Sequence, residues 1–277
     1  MPVASPYDYA ISLGKRLSGR SIVLSYPKSG RTWILNVFLN YWWRINTGAQ
    51  DPLPFLKNLK TWEGQKFRKE TGVNFSHGAR PGHLRDGGEL TSRTSDLKLL
   101  PITFLIRNPV SVLVSYHHHL SRGKRSQPKY GSLQEFIISP AGIDAFTQYH
   151  NRVISIISRN PRATVFAYEQ LHYSAADHVG AFETLFRTHF GSVESDALAW
   201  AISACEPQNL RDRAPKDDTR IRKAEILAKD DSLTEDLELY ILDTTMKNLA
   251  PPALHYMKPL IEKYKEVQVA RAGADNG

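Results

Sequence analysis

The segment from Ser21 to Trp42 most constrains what this chain can fold into. Ser21-Ile22-Val23-Leu24-Ser25 is a short, mostly apolar run with β-branched residues, which suits a strand buried on both faces. Beyond Gly30 the apolar period changes. Trp33, Ile34, Val37, Phe38, Tyr41 and Trp42 recur at helical spacing, and Thr32 is a good first-turn residue. Between the two lies Tyr26-Pro27-Lys28-Ser29-Gly30. A strand, a tight loop and a helix in this order form an anion-binding arrangement, because amides at the helix start face the ligand and the helix dipole adds to them. Gly30 permits close backbone approach, while Lys28 and Ser29 supply a charge and a hydroxyl. The Walker A pattern GxxxxGK(S/T) does not fit: Ser25 stands where its first Gly belongs and Arg31 where its Lys belongs.

The rest of the chain repeats the strand-then-helix theme. Val73-Asn74-Phe75-Ser76, Leu99 to Ile106 and Arg162 to Tyr168 read as further strands. Arg107-Asn108-Pro109 opens a helix with Asn108 as N-cap and Pro109 at its first position. Residues 48 to 72 read as loops with a short helix, and 130 to 159 hold two helical patterns. Helices are expected at about 175 to 190, closed by Gly191, then at 194 to 205, 233 to 249 and 254 to 264. Residues 206 to 231 read as a long loop, a length that suggests a ligand-binding segment, and the tail from Val267 as frayed. The expected fold class is α/β: a P-loop-like central parallel β-sheet flanked by α-helices, in one domain spanning 1–277 with 1–19 and 267–277 peripheral. Ligands of such sheets bind beyond the carboxyl ends of the strands, so the loops after Ser25, Ser76 and Ile106 should meet there.

Composition narrows the class. The 277 residues are 41% hydrophobic, enough for one large core. The net charge of +8 favours an anionic ligand or a solvated basic surface, and no Lys/Arg block is long enough for a nucleic-acid arm. Cys205 is the only cysteine, which excludes an internal disulfide and argues against a Cys-based metal site. The start of the chain does not read as a leader and no run approaches the ~20 apolar residues of a membrane span. A soluble, cytoplasmic protein is expected, with no membrane or nucleic-acid partner; a homodimer is compatible with these features. Neighbouring residues on a helix point about 100° apart, so His117-His118-His119 cannot share one ion, and no metal is expected.

A second anchor lies at Arg107 and Ser115, eight residues apart. Arg107 precedes the helix and Ser115 sits almost two turns into it, so both can reach one anion lying along the helix. With these motifs in place, the sequence resembles the PAPS-dependent sulfotransferase family, which uses 3′-phosphoadenosine-5′-phosphosulfate (PAPS). That family's 5′-phosphosulfate loop reads approximately YPKSGTTW, and Tyr26 to Trp33 matches it at seven of eight positions, Arg31 replacing a Thr. The family's 3′-phosphate pattern RNPxDxxxS appears from Arg107 to Ser115, with Ser111 in place of Asp. The resemblance implies nucleotide contacts from Lys28, Ser29, Gly30, Arg31, Thr32 and Trp33, and from Arg107 and Ser115. An Arg at position 31 can neutralise phosphate or point to solvent, but it cannot repeat the short hydroxyl contact. Tyr168-Glu169-Gln170-Leu171 is similar to the family's YEDL segment, which implies that Tyr168 lies near the nucleotide. Arg222 and Lys223 resemble the family's RKG, which closes over the 3′-phosphate, although Ala224 replaces the Gly.

Transfer of a sulfuryl group to a hydroxyl requires a proton acceptor, stabilisation of charge on the leaving phosphate and in-line positioning. The resemblance implies that Lys28 stabilises the leaving group and that a histidine between the two motifs is the base. His77, which follows a predicted strand, is the first choice and His83 its competitor. PAPS would be the co-substrate, and the acceptor a small-molecule or carbohydrate hydroxyl. A nucleotide-dependent phosphotransferase on a P-loop scaffold and a non-enzymatic polyanion-binding protein are the alternatives. The former lacks a clear Walker B carboxylate after an apolar strand, since Arg107 and Asn108 follow Ile106.

Overall fold

Four short apolar runs form the four strands of one sheet in the computed structural model, which describes residues 19–78, 94–121, 130–172, 175–215 and 232–274. In chain order the elements are β1 (Ser21–Ser25), α1 (Arg31–Thr47), α2 (Trp62–Thr71), β2 (Val73–Ser76), α3 (Thr94–Leu99), β3 (Ile102–Ile106) and α4 (Pro109–Ser121). There follow α5 (Leu133–Ile138), a π-helical turn (Pro140–Asp144), α6 (Ala145–Ile157), β4 (Ala163–Ala167) and the short α7 (Tyr168–Leu171). The chain ends through α8 (His178–Phe190), α9 (Ser195–Ala204), α10 (Pro207–Arg213), α11 (Glu235–Asn248) and α12 (Pro251–Ala274).

The strand order is β2-β1-β3-β4 and every pairing is parallel. The fold is therefore α/β, a central parallel sheet between helices. Side chains alternate across the sheet, and both faces are covered. Ile22, Leu24, Ile102 and Phe104 pack with α4, α6, α11 and α12, while Val23, Leu105 and Phe166 pack with α1, α8 and α9. Helix α1 is central: Ile34 to Trp42 are all buried. Each fully buried large apolar side chain there contributes on the order of 1.5–3 kcal/mol. Two buried asparagines on α1 tie down the segment before α2. Asn36 Oδ1 accepts from the Leu56 amide at 2.9 Å and Asn40 Oδ1 from the Leu53 amide at 2.8 Å.

Three segments differ from the sequence reading. Leu99 ends helix α3 instead of starting a strand, and β3 begins only after Pro101, which has no amide to donate. The expected loop from 206 begins with α10, whose first residue is Pro207, a position where a missing N–H costs nothing. The last helix starts at Pro251 for the same reason, continues through Pro259 and runs past 267 to Ala274. His83, Arg222, Lys223 and most of the expected 206–231 loop lie outside the described residues.

Candidate functional site

Because all four strands are parallel, the residues following each of them emerge at one edge of the sheet. Ser25 pairs with Leu105, Leu24 with Ser76, and Ile106 with Ala167, so the strand ends are level. Lys28, His77, Arg107 and Tyr168 are thereby delivered to the same edge.

The loop after β1 is wound tightly. Lys28 has φ 72 and Gly30 φ 91, both left-handed. For a lysine this conformation costs about 1–2 kcal/mol, so the surroundings must hold it. The Arg107 guanidinium does so from β3's end, donating to the Lys28 carbonyl at 3.3 Å. Gly30 caps α1 without a side-chain hydrogen bond, and the first turn of α1 holds no acidic residue. A helix start has amides without intrahelical acceptors and partial positive charge. Here Arg31 adds to that charge instead of offsetting it. The Ser29 hydroxyl is fully buried and has no hydrogen-bond partner among the described residues, and the same holds for Arg107 Nε. Buried unpaired donors of this kind cost about 1–3 kcal/mol each, and oxygens of a phosphate or sulfate suit them chemically.

Tyr168 joins the two anchors. Its ring lies under the Arg107 guanidinium at 4.3 Å and edge-on to Trp33 at 5.4 Å. It also closes on Gly30, where an added Cβ would lie 2.4 Å from a Tyr168 ring carbon. The next residue, Glu169, fixes the start of the second motif: its carboxylate accepts from the buried Asn108 amide at 2.9 Å. Burial pushes the Glu169 carboxyl up, and the Arg107 charge and this hydrogen bond pull it back down. Asn108 caps α4 as its position suggests, its Oδ1 accepting from the Ser111 amide at 3.2 Å. Ser115 sits partly buried on α4, in the turn that follows.

His77 hangs from β1. Its ring Nδ1 lies 2.8 Å from the Ser25 carbonyl, and a carbonyl only accepts, so Nδ1 carries the proton and Nε2 keeps its lone pair. Burial lowers its pKa from 6.5 to about 3, with further lowering from Arg31, His119 and Lys28, against the Ser25 hydrogen bond. Those charges place Arg31, Lys28 and His119 in the same electrostatic neighbourhood as the imidazole.

Trp33 donates through Nε1 to the Cys205 carbonyl at 2.8 Å, across 172 residues of sequence. The Cys205 thiol is buried, accepts from Asn40 Nδ2 at 3.4 Å and is pushed up to about 12, first by burial.

The structure thus brings together Lys28, Ser29, Gly30, Arg31, Trp33, His77, Arg107 and Tyr168. Sequence reasoning named Glu169 and His119 without giving either a place in the site. Position could have found His119, one turn beyond Ser115 on the same helix face. Among the described residues, no helix is long and apolar enough to cross a membrane.

No family model matches this chain, and no curated protein sequence does. Among solved structures, it is similar to the mouse sulfotransferase SULT7A1 complexed with PAP, with a TM-score of 0.55, 14% sequence identity and 89% of each chain covered. At that identity the likeness is one of fold: the central parallel sheet and its flanking helices are arranged as in a sulfotransferase.

Proposed function

We propose that this chain transfers a sulfuryl group from PAPS to a hydroxyl of a small-molecule or carbohydrate acceptor, releasing PAP. The observation that carries this reading is the junction of two anion motifs. The Arg107 guanidinium bonds the carbonyl of Lys28, and Tyr168 lies against both Arg107 and Gly30. A nucleotide phosphorylated at both ends needs two such anchors side by side, and a singly anchored ATP does not. The fold likeness to a sulfotransferase complexed with PAP supports the same reading.

The residues present fit the nucleotide. Lys28, Ser29, Gly30, Arg31 and Thr32 would hold its 5′ end, with Trp33 beside them, and Arg107 and Ser115 its 3′-phosphate. Bound PAPS supplies an activated sulfuryl group on a phosphate leaving group. His77 Nε2 takes the acceptor's hydroxyl proton as that oxygen bonds to sulfur. The bond from sulfur to the phosphate oxygen breaks, and Lys28 holds the charge left on that oxygen. The left-handed loop keeps Lys28 at this place. After burial, the charges of Arg31, His119 and Lys28 hold His77 down, so anions bound at Arg31 and Lys28 strengthen the base only when the site is loaded.

The test is a thermal-shift comparison of PAP, PAPS, ATP with Mg²⁺ and an oligonucleotide, followed by mass analysis of acceptors incubated with PAPS. Stabilisation by PAP and PAPS and a gain of one sulfuryl group support the proposal. Stabilisation by ATP alone would make the chain a phosphotransferase, and by the oligonucleotide alone a polyanion-binding protein; either result refutes it.

A further inference from the structure

Strand β4 runs beside β3, and the pairing of the two chains continues beyond the sheet. Ile106 pairs with Ala167 as the last rung of the ladder. One step on, the Tyr168 ring lies 4.3 Å from the Arg107 guanidinium. One step further, the Glu169 carboxylate accepts from the Asn108 amide at 2.9 Å. The register 106/167, 107/168, 108/169 is thus carried past the strands by side chains. Gln170 turns the chain at this point, its Oε1 accepting from the Ala167 amide at 2.9 Å, so Tyr168 and Glu169 are presented from a fixed turn.

Asn108 is the N-cap of α4, and its side chain takes the Ser111 amide at 3.2 Å. In a capping box, a Glu or Gln at the third helical position returns its side chain to the N-cap amide. That position of α4 holds Ser111, neither Glu nor Gln, and Glu169 closes the box from another element. Both partners are buried, Glu169 at 8% exposure and Asn108 at 1%, and a carboxylate accepting from an amide is a charge-assisted bond, stronger than a neutral one. Glu169 directs this oxygen to the backbone beside Arg107 and not to the guanidinium. It therefore fixes the base of the arginine, while Arg107 Nε has no partner among the described residues.

Resting on the reading of Arg107 as the 3′-phosphate anchor, we propose that Glu169 is a positioning residue: by holding the Asn108 amide it sets where the Arg107 guanidinium stands, and with it the preference for a nucleotide phosphorylated at the 3′ position. The place of its oxygen does this, and not its charge. The two charges do feel one another, since Arg107 is the first influence that draws the Glu169 carboxyl back down after burial raises it. A negative charge there opposes the binding of a phosphate at Arg107, so position and charge act with opposite signs.

Calorimetric titration of the full chain with PAP and with adenosine 5′-phosphate reads this preference as a ratio of affinities, because the two ligands differ only in the 3′-phosphate. Glu169→Asp keeps the charge but draws the oxygen back by one methylene. Glu169→Gln keeps the reach and an acceptor oxygen but loses the charge. Glu169→Asp should lower the ratio of PAP to adenosine 5′-phosphate affinity at least about fivefold, with adenosine 5′-phosphate itself bound within about twofold of wild type. Glu169→Gln should keep the ratio within about threefold of wild type or raise it. A merely structural role weakens both ligands together and leaves the ratio where it was; melting curves verify that both variants fold. An unchanged ratio in Glu169→Asp, or a fall beyond about threefold in Glu169→Gln, overturns the inference alone. Wild-type protein that binds PAP no tighter than adenosine 5′-phosphate refutes the 3′-phosphate reading itself, and the inference falls with it.

Discussion

Replacing Gly30 with Ala should damage the protein at one identifiable contact. The residue has φ 91, where an L side chain costs about 1–2 kcal/mol. Its Cβ would also meet two Tyr168 ring carbons at 2.4 and 2.7 Å. The ring cannot simply swing aside, because it is buried between Trp33 at 5.4 Å and the Arg107 guanidinium at 4.3 Å. Forced overpacking of this kind costs about 1–3 kcal/mol, so the whole loss should be about 2–5 kcal/mol. Gly48→Ala is the control: that glycine has φ 66 and nothing within 4 Å of an added Cβ. Both substitutions remove similar freedom from the unfolded chain, so the difference between them isolates the clash. Urea unfolding followed by circular dichroism should place Gly30→Ala at least about 1 kcal/mol below Gly48→Ala. Displacing Tyr168 also loosens Arg107 and, through it, the Lys28 carbonyl, so PAP affinity should fall at least tenfold. Equal stability of the two variants would refute the packing argument.

Four other outcomes are expected. Lys28→Ala should lower kcat by about 10²–10³-fold, as removal of an electrostatic catalyst does; near-normal turnover in a PAPS assay would remove Lys28 from the chemistry. Burial holds His77, His150 and His189 neutral in the fold, with pKa values lowered from 6.5 to about 3, about 4 and about 3. Between pH 6.5 and 4 only the unfolded chain protonates them, so stability is full above 6.5 and falls as the pH drops, by as much as ~4 kcal/mol per pH unit. Glu169, pushed up by burial, offsets at most one of these protons; a urea midpoint flat from pH 7 to 5 would contradict this. Glu169→Ala leaves the buried Asn108 amide without its acceptor and should cost about 1–3 kcal/mol, with Glu169→Gln milder in the same melts. The Cys205 thiol should resist aromatic disulfide reagents in the native protein and react fully in urea, since it is buried and raised to about 12. Fast labelling of the native protein would contradict its burial.

How far the sequence could be read depended on the range of the interactions involved. All four strands were legible as short runs, most plainly β1 and β3, which are buried along their whole length and read as continuous apolar stretches. The helix starts at Arg31 and Pro109 were legible for local reasons as well: the apolar period changes beyond Gly30, and Asn108 is a cap written in the sequence. The misreadings lay at the bounds of helices beside prolines, while a helix through Pro259 was expected. Pro207 and Pro251 stand at helix starts, where the missing amide costs nothing, and Pro259 is carried within a helix whose inner face, at Met257, Ile261 and Tyr264, is buried in the core. Tertiary burial outweighed local propensity there. The site divides along the same line. Each motif announced an anion on its own, but their union rests on contacts between distant residues: Arg107 to Lys28 across 79 positions, Asn108 to Glu169 across 61, and Trp33 to Cys205 across 172. No periodicity encodes such pairs. Arg31 is the sharpest instance. In the sequence it is only a substitution in a familiar loop, with solvent as one of its destinations. In the fold its charge bears on His77 and Tyr149, two side chains brought to it by β2 and α6.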